Sequence, residues 1–324
     1  MSLSQVFRTR IFQNPRNVGI VAAGFSGGQT KPGVGAAPAA IIKDGGLLEE
    51  LRRLHIDITF DNIFHDYTHL KTAHDADHHG MKRPRFVSAA TQCISEQVYS
   101  HAVDGRLVLT LGGDHSIGIG SVTGIAKAAR ERFRHDVGVI WVDAHADINT
   151  PETSPSGNIH GMPVAFATRL ARERADEPFG WIQEEHRVDT KKLVYIGIRD
   201  LDPSEKSHLR DNDIKAFTTR DIDRVGIAKV MEDTIAYLGH DTPLHLCFDI
   251  DAIDPASAPS TGVPVPGGLT RREGEYIAES VAATGMLIAV DLVEVNPDVN
   301  SHGAQQTIET ACSIIRCALG HKLL

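Results

Sequence analysis

Apolar runs rich in β-branched residues recur along the chain at Val18–Phe25, Leu107–Leu111, Val137–Val142, Leu193–Ile198, Leu244–Phe248 and Leu287–Val293. Each run is nearly continuous rather than alternating, the pattern of a strand buried on both faces. Between them the period lengthens to that of helices, as over Ala39–Leu54, Ser88–Val103 and Ile117–Phe133. Buried strands separated by crossover helices predict the α/β class, a parallel β-sheet with helices on both faces. No Pro/Gly/Ser-rich linker divides two compositions and no internal repeat is visible, so residues 1–324 read as a single domain. The exception to the regular pattern is Asp61–Arg85, which holds His65, His69, His74, His78 and His79. Its His-x-x-x-His spacings would suit a metal on a helix. The segment has Asp and Gly and lacks an apolar stripe, however, so the stronger reading is a solvated surface loop.

Composition narrows the class without deciding it. Of the 324 residues 41% are hydrophobic and 23% charged, which is ordinary for a globular enzyme with a large core. The formal net charge is −9, from 42 acids against 33 bases, which argues against a nucleic-acid partner and leaves room for a cation site. Cys93, Cys247, Cys312 and Cys317 show no C-x-x-C spacing and read as reduced, packed thiols of a cytoplasmic protein. No apolar run approaches the ~18 residues of a membrane span. Arg8, Arg10 and Arg16 precede the first acid, Asp44, faintly like an organelle-targeting segment. With the first strand expected near Val18, too little chain precedes it to be cleaved, and the expectation is that the chain carries no targeting segment.

The chemistry collects where four of the strands end. Leu107–Leu111 leads into Gly112-Gly-Asp-His-Ser116, and Val137–Val142 into Asp143-Ala-His-Ala-Asp147. Leu244–Phe248 leads into Asp249-Ile-Asp-Ala-Ile-Asp-Pro255, and Leu287–Val293 into Glu294-Val-Asn-Pro297. In open α/β sheets, ligands bind outside the carboxyl ends of the strands. Side chains alternate along a strand, so D-x-H-x-D places three ionisable groups on one face, and D-x-D places two. Taken singly, each motif has a plain alternative. His115 after two glycines reads as a satisfied loop histidine, and Asp249-Ile-Asp251 as Asx-turn chemistry. Together, His115, Asp143, His145, Asp147, Asp249 and Asp251 are hard to explain as packing, because buried unpaired carboxylates are costly.

Four carboxylates and two imidazoles exceed what one metal ion needs if water must also bind. The set suits two ions about 3.5–4 Å apart that share bridging carboxylates. Oxygen-rich ligands with some imidazole and no thiolate favour manganese over zinc or copper. Four carboxylates balance two divalent ions, and a bridging hydroxide would leave the cluster at about −1, a charge that welcomes a cationic substrate.

GGDHS, DAHAD, SGNIHG, DIDAIDP and DLVEVNP, in this order, resemble the arginases of the arginase, agmatinase and ureohydrolase superfamily. The likeness extends to FSGGQ at Phe25, MKRPR at Met81, IGIRDLDP at Ile196 and GGLTRREG at Gly267, and so spans the chain from about Val18 onward. The resemblance implies a three-layer α/β/α fold and a ureohydrolase that converts L-arginine to L-ornithine and urea with two Mn²⁺ per subunit. It implies that His115, Asp143, Asp147 and Asp249 hold one ion. His145, Asp143, Asp249 and Asp251 would hold the other, with Asp143 and Asp249 bridging. A metal-bridging hydroxide, hydrogen-bonded by Asp147, would attack the guanidinium carbon. His160 matches the family's proton-shuttling histidine, and Glu294 the acceptor for the substrate guanidinium. Read without the family, His160 is equally a loop histidine and Glu294 a helix cap or surface acid.

Specificity must come from outside the metal ligands. Asn149, Ser156 and Asn158 match the family's contacts to the substrate α-carboxylate, and Asp202, with Glu205 nearby, matches the acid that meets the α-ammonium. For Asn149 and Ser156 the alternative is ordinary loop-turn chemistry. Two departures stand out: Val263 where arginases usually carry threonine, and Gly33-Val-Gly-Ala-Ala-Pro38 where the family commonly has an acid and then Gly-Pro, so that Gly35 and Ala37 differ. These leave open a hydrolase of a related guanidino compound, such as guanidinobutyrate or a modified arginine. An arginase-fold binding protein without activity is the alternative from another class. The family further implies a cytoplasmic homotrimer in arginine metabolism, as in the urea cycle, with an inter-subunit acid–arginine pair at Asp223 and Arg272.

Overall fold

Eight strands lie side by side in one sheet, every neighbouring pair parallel. They are β1 (Asn17–Ala23), β2 (Asp57–Thr59), β3 (Leu107–Gly112), β4 (Gly138–Val142), β5 (Leu193–Ile198), β6 (Lys215–Thr218), β7 (Leu244–Asp249) and β8 (Leu287–Val293). Their order across the sheet is β2-β1-β3-β8-β7-β4-β5-β6. The structure is a computed structural model that describes residues 16–172 and 174–322. Arg8 and Arg10, on which the targeting question turned, lie outside the described residues. No described helix is long and apolar enough to cross a membrane.

The six strands expected from apolar runs are all present, and two more flank them. The central strands β3, β4, β7 and β8 are buried at every position, which is why their sequences are continuously apolar. The two edge strands have no such signal. Asp57-Ile-Thr59 pairs only with β1 and is largely exposed, and Lys215–Thr218 pairs only with β5 and buries Phe217 alone. A strand covered on one side needs few apolar residues, and three or four residues are too short to show alternation.

The expected helix over Ala39–Leu54 is two helices, Ala37–Lys43 and Leu47–Arg53. The break falls at Asp44-Gly45-Gly46, where Gly46 adopts φ +63°, a left-handed conformation open to glycine at little cost. The helix expected from Ser88 begins earlier, at Pro84, because proline suits the first helical turn. That expected from Ile117 begins at Gly118, after a 3₁₀ turn over His115–Ile117. Ahead of Pro84 the segment Asp61–Arg85 contains no α-helix, so the i,i+4 histidine spacings never reach one helical face. Most of it is exposed, with Tyr67 and Met81 buried as anchors.

The sheet order decides what meets at its carboxyl edge. β3, β8, β7 and β4 are consecutive neighbours, and these are the four strands that lead into the acidic and histidine motifs. Gly113 makes the tightest of these turns possible. A Cβ there would lie 1.8 Å from the carbonyl oxygen of Phe25, and the N–H of Asp114 donates to that same oxygen at 2.9 Å.

Candidate metal centre

His115 sits on the 3₁₀ turn after β3, nearly inaccessible to solvent, its ring stacked at 4.2 Å on the indole of Trp141 from β4. Its Nδ1 faces three carboxylates: Asp143 Oδ2 at 3.1 Å, Asp147 Oδ2 at 3.0 Å and Asp249 Oδ2 at 3.0 Å. On the opposite side of the ring, Nε2 lies 3.2 Å from Cys247 Sγ. A second group forms around His145, whose Nδ1 is 3.1 Å from Asp251 Oδ2 and 3.4 Å from Asp143 Oδ1. Asp143 therefore turns one carboxylate oxygen toward each imidazole. All six residues expected to hold metal converge in two adjoining groups.

Backbone amides and one indole hold these acids in place. Trp141 Nε1 donates to Asp143 Oδ2 at 2.9 Å, and the N–H of His145 donates to Asp143 Oδ1 at 2.7 Å. The N–H of Asp251 donates to Asp249 Oδ1 at 2.8 Å, and that of Ala144 to Asp251 Oδ1 at 3.2 Å. Arg199, from IGIRDLDP, donates to the carbonyl oxygens of Asp251 and Ala252 at 2.7 and 3.1 Å, seating the turn after β7. Asp147 and Glu294 hold left-handed backbone conformations, φ +51° and +63°. For non-glycine residues such conformations cost of order 1–3 kcal/mol and gather at functional sites.

The donor set suits cations. His115 Nδ1 is buried with no well-directed hydrogen bond among the described residues, despite three carboxylate oxygens close by. Burial first, and then the neighbouring carboxylates, push Asp249 and Asp147 above the usual carboxylate range and Asp251 up to about 6. Burial would raise Asp143 as well, but its bonds to His115 and His145 outweigh that and hold it low. Acids packed this closely keep protons near neutral pH unless positive charge sits among them, and divalent ions supply that charge.

A cavity of about 160 Å³ opens over the second group, lined by His145, Asp147, Asp249 and Asp251 on its floor and by Val263 and Glu294 above. His160 lies on its wall, Nδ1 3.4 Å from Glu294 Oε1. Burial alone would lower His160, but the bond to Glu294, aided by the charges of Glu294, Asp147 and Asp114, raises it to about 9. Glu294 Oε1 also accepts the N–H of His115 at 2.8 Å, tying the loop after β8 to the turn after β3.

Asn149, Ser156, Asp202 and Glu205 line the outer wall. Asn158 is not among the lining residues, although its amide oxygen is buried without a hydrogen bond among the described residues. Asn149 is heavily engaged, its Nδ2 donating to Asp202 Oδ2 at 2.9 Å and its Oδ1 accepting from Ser204 and Thr153 at 2.7 and 3.1 Å. Glu205 is 4% exposed, and its Oε2 accepts the N–H of Asp202 while its Oε1 accepts that of Ile148. Burial raises it to about 7. Its visible work is to cap the helix Pro203–Asp211 that presents Asp202.

Sequence reasoning missed Trp141, Cys247 and Asp114. Asp114 is buried, accepts the N–H groups of Gly28 and Ser116, and so pins FSGGQ under GGDHS. Its place inside GGDHS was a usable signal. Trp141 and Cys247 looked like strand core because they are two-faced strand residues. The residues just before the Gly33–Pro38 departure reach the neighbourhood of the other: Lys31 Nζ donates to the carbonyl oxygen of Gly262, next to Val263, at 2.5 Å.

Residues 16–320 match the sequence profile of the Arginase family. The chain is 57% identical over 325 residues to the arginase of Emericella nidulans, with 100% of each covered. Among solved structures it is similar to the arginase of Bacillus caldovelox (TM-score 0.85, 36% identity, 95% of this chain and 100% of that one). It is also similar to Entamoeba histolytica arginase in complex with L-ornithine (TM-score 0.81, 31% identity, 94% and 98% covered).

Proposed function

This chain belongs to the arginase family, and we propose that it hydrolyses L-arginine to L-ornithine and urea with two Mn²⁺ per subunit. The observation that carries the reading is Asp143 facing both His115 and His145, the arrangement of a carboxylate shared by two ions. His115, Asp143, Asp147 and Asp249 would hold one ion, and His145, Asp143, Asp249 and Asp251 the other. When bound, the pair supplies hydroxide near neutral pH for attack on a guanidinium carbon.

The remaining roles follow from what lines the cavity. Glu294, turned into it beside His160, accepts hydrogen bonds from the cationic guanidinium. Asp147 orients the nucleophile. His160, whose pairing with Glu294 favours its protonated form, delivers a proton to the departing amine of ornithine from its place in the cavity lining. Asp202, Asn149 and Ser156, which line the cavity, together with Asn158, which does not, would receive the α-ammonium and α-carboxylate, and Glu205 holds Asp202 toward them. We further read the protein as one catalytic domain that works in the cytoplasm, in arginine metabolism, as a homotrimer. Asp223 and Arg272, both exposed, would pair between subunits.

Urea release from a panel of guanidines, with and without added Mn²⁺, tests the reading. The expected result is Mn²⁺-dependent release with the highest kcat/KM for L-arginine. A higher value for agmatine, guanidinobutyrate or a modified arginine would reassign the substrate. Such tolerance has a structural motive in Val263, which lines the cavity without a hydroxyl to offer.

A further inference from the structure

The five histidines of Asp61–Arg85 take no part in the centre just described, yet two of them meet a third donor from elsewhere in the chain. His78 and His79 stack at 3.9 Å between ring centroids, and His78 Nε2 lies 3.9 Å from Oε1 of Glu177, a residue about a hundred positions onward. One nitrogen from each ring and one oxygen of Glu177 all lie within 4.8 Å of one another.

We propose that His78, His79 and Glu177 form a second, peripheral site for a divalent transition ion of the zinc type. Two imidazoles and one carboxylate form a donor set that zinc accepts, leaving one tetrahedral position for water. Donors about 2.0–2.2 Å from a tetrahedral ion stand roughly 3.4 Å apart. The 3.9 Å between His78 and Glu177 is beyond hydrogen-bond reach and needs about half an ångström of closure around an ion, while the His79 nitrogen, within 4.8 Å of both, needs up to about 1.4 Å. Burial of the centre on β3, β4 and β7 keeps the two sites apart, and the inference does not depend on what reaction that centre performs.

The geometry is held from behind. His78 and Met81 exchange N–H···O bonds of 3.1 and 2.9 Å, closing a tight hairpin whose Met81 is fully buried. His79 takes φ +49°, which turns its ring over that of His78. Glu177 is fixed by the N–H of Arg174, which binds its Oε2 at 2.5 Å and leaves Oε1 toward His78. Lys82 N–H donates to Gly157 O at 2.9 Å, so an ion here would brace the hairpin beneath the loop of Ser156 and Asn158.

The test is metal counting on the full-length, manganese-loaded protein. It is equilibrated with micromolar Zn²⁺, freed of unbound ions, and analysed for both metals. The expected result is one additional zinc per chain with manganese unchanged. That zinc is lost in His79→Ala and in Glu177→Gln, and kept in His74→Ala, which removes the i,i+4 partner of His78. Both informative side chains lie near the surface, so the variants fold. No zinc uptake, uptake only as manganese leaves, or uptake unchanged in His79→Ala and Glu177→Gln overturns the proposal.

Discussion

Cys247 Sγ lies 3.2 Å from Nε2 of His115, on the far side of the ring from the carboxylates. The thiol thus occupies the position from which a ligand histidine is usually oriented, with Nε2–H donating outward so that the Nδ1 lone pair points inward. Burial raises this thiol, so it is present as S–H and not as a thiolate. Cys247→Ala is expected to weaken metal binding ~10-fold or more. Cys247→Ser, which keeps a polar partner, should lose less. Metal affinity measured by competition with a chelator decides it; equal affinity in Cys247→Ala would leave the thiol as packing alone.

Among the described residues, Asp143 is the one carboxylate in contact with both His115 and His145. Asp143→Asn removes a charge from both groups at once while keeping the shape. The variant should retain fewer than two ions per chain in manganese-supplemented protein, whereas Asp251→Asn, at a residue that meets His145 but not His115, should affect chiefly one. Elemental analysis distinguishes the two patterns.

His160 and Glu294 make a pH-dependent pair. Folding lifts the imidazole from its ordinary 6.5 to about 9, so its contribution to stability is complete below 6.5 and is lost as pH rises toward 9. In metal-free protein, imidazole NMR should show His160 titrating near the upper end of that window. In Glu294→Gln the raising charge is gone and burial remains, so the titration should move down. For activity, His160→Ala should lower kcat by ~10²–10⁴ while leaving metal content intact.

Val263 borders the cavity and offers it no hydroxyl. Val263→Thr should add a neutral hydrogen bond worth about 0.5–1.5 kcal/mol, which appears as a lower KM or a higher kcat for arginine by up to about tenfold. Identical steady-state constants would show the position to be neutral.

Gly113→Ala tests the turn rather than the chemistry. Its Cβ would intrude on the Phe25 backbone, which cannot give way as a flexible side chain could. A stability loss of about 1–3 kcal/mol or more is expected, seen as a lower Tm. An unchanged Tm would mean that the FSGGQ segment moves freely.

The sequence by itself determined the buried strands and the ligand chemistry, because both are local. A strand covered on two faces must be apolar at every position, and acids and histidines set directly after such strands gather at the sheet's carboxyl edge, although not by the expected alternation: β4 ends at Val142, Asp147 takes φ +51° and Asp251 sits on a 3₁₀ turn. It did not determine the edge strands Asp57–Thr59 and Lys215–Thr218, whose exposed sides leave the pattern mixed. Nor did it reveal that β3, β8, β7 and β4 lie next to one another, since strand order is set by how crossovers pack and not by any residue in them. That order alone carries His115 across to Asp143 and brings Cys247 behind its ring. It is also tertiary packing, joining residues about a hundred positions apart, that brings His78 near Glu177, a meeting that reading the segment as a surface loop could not show.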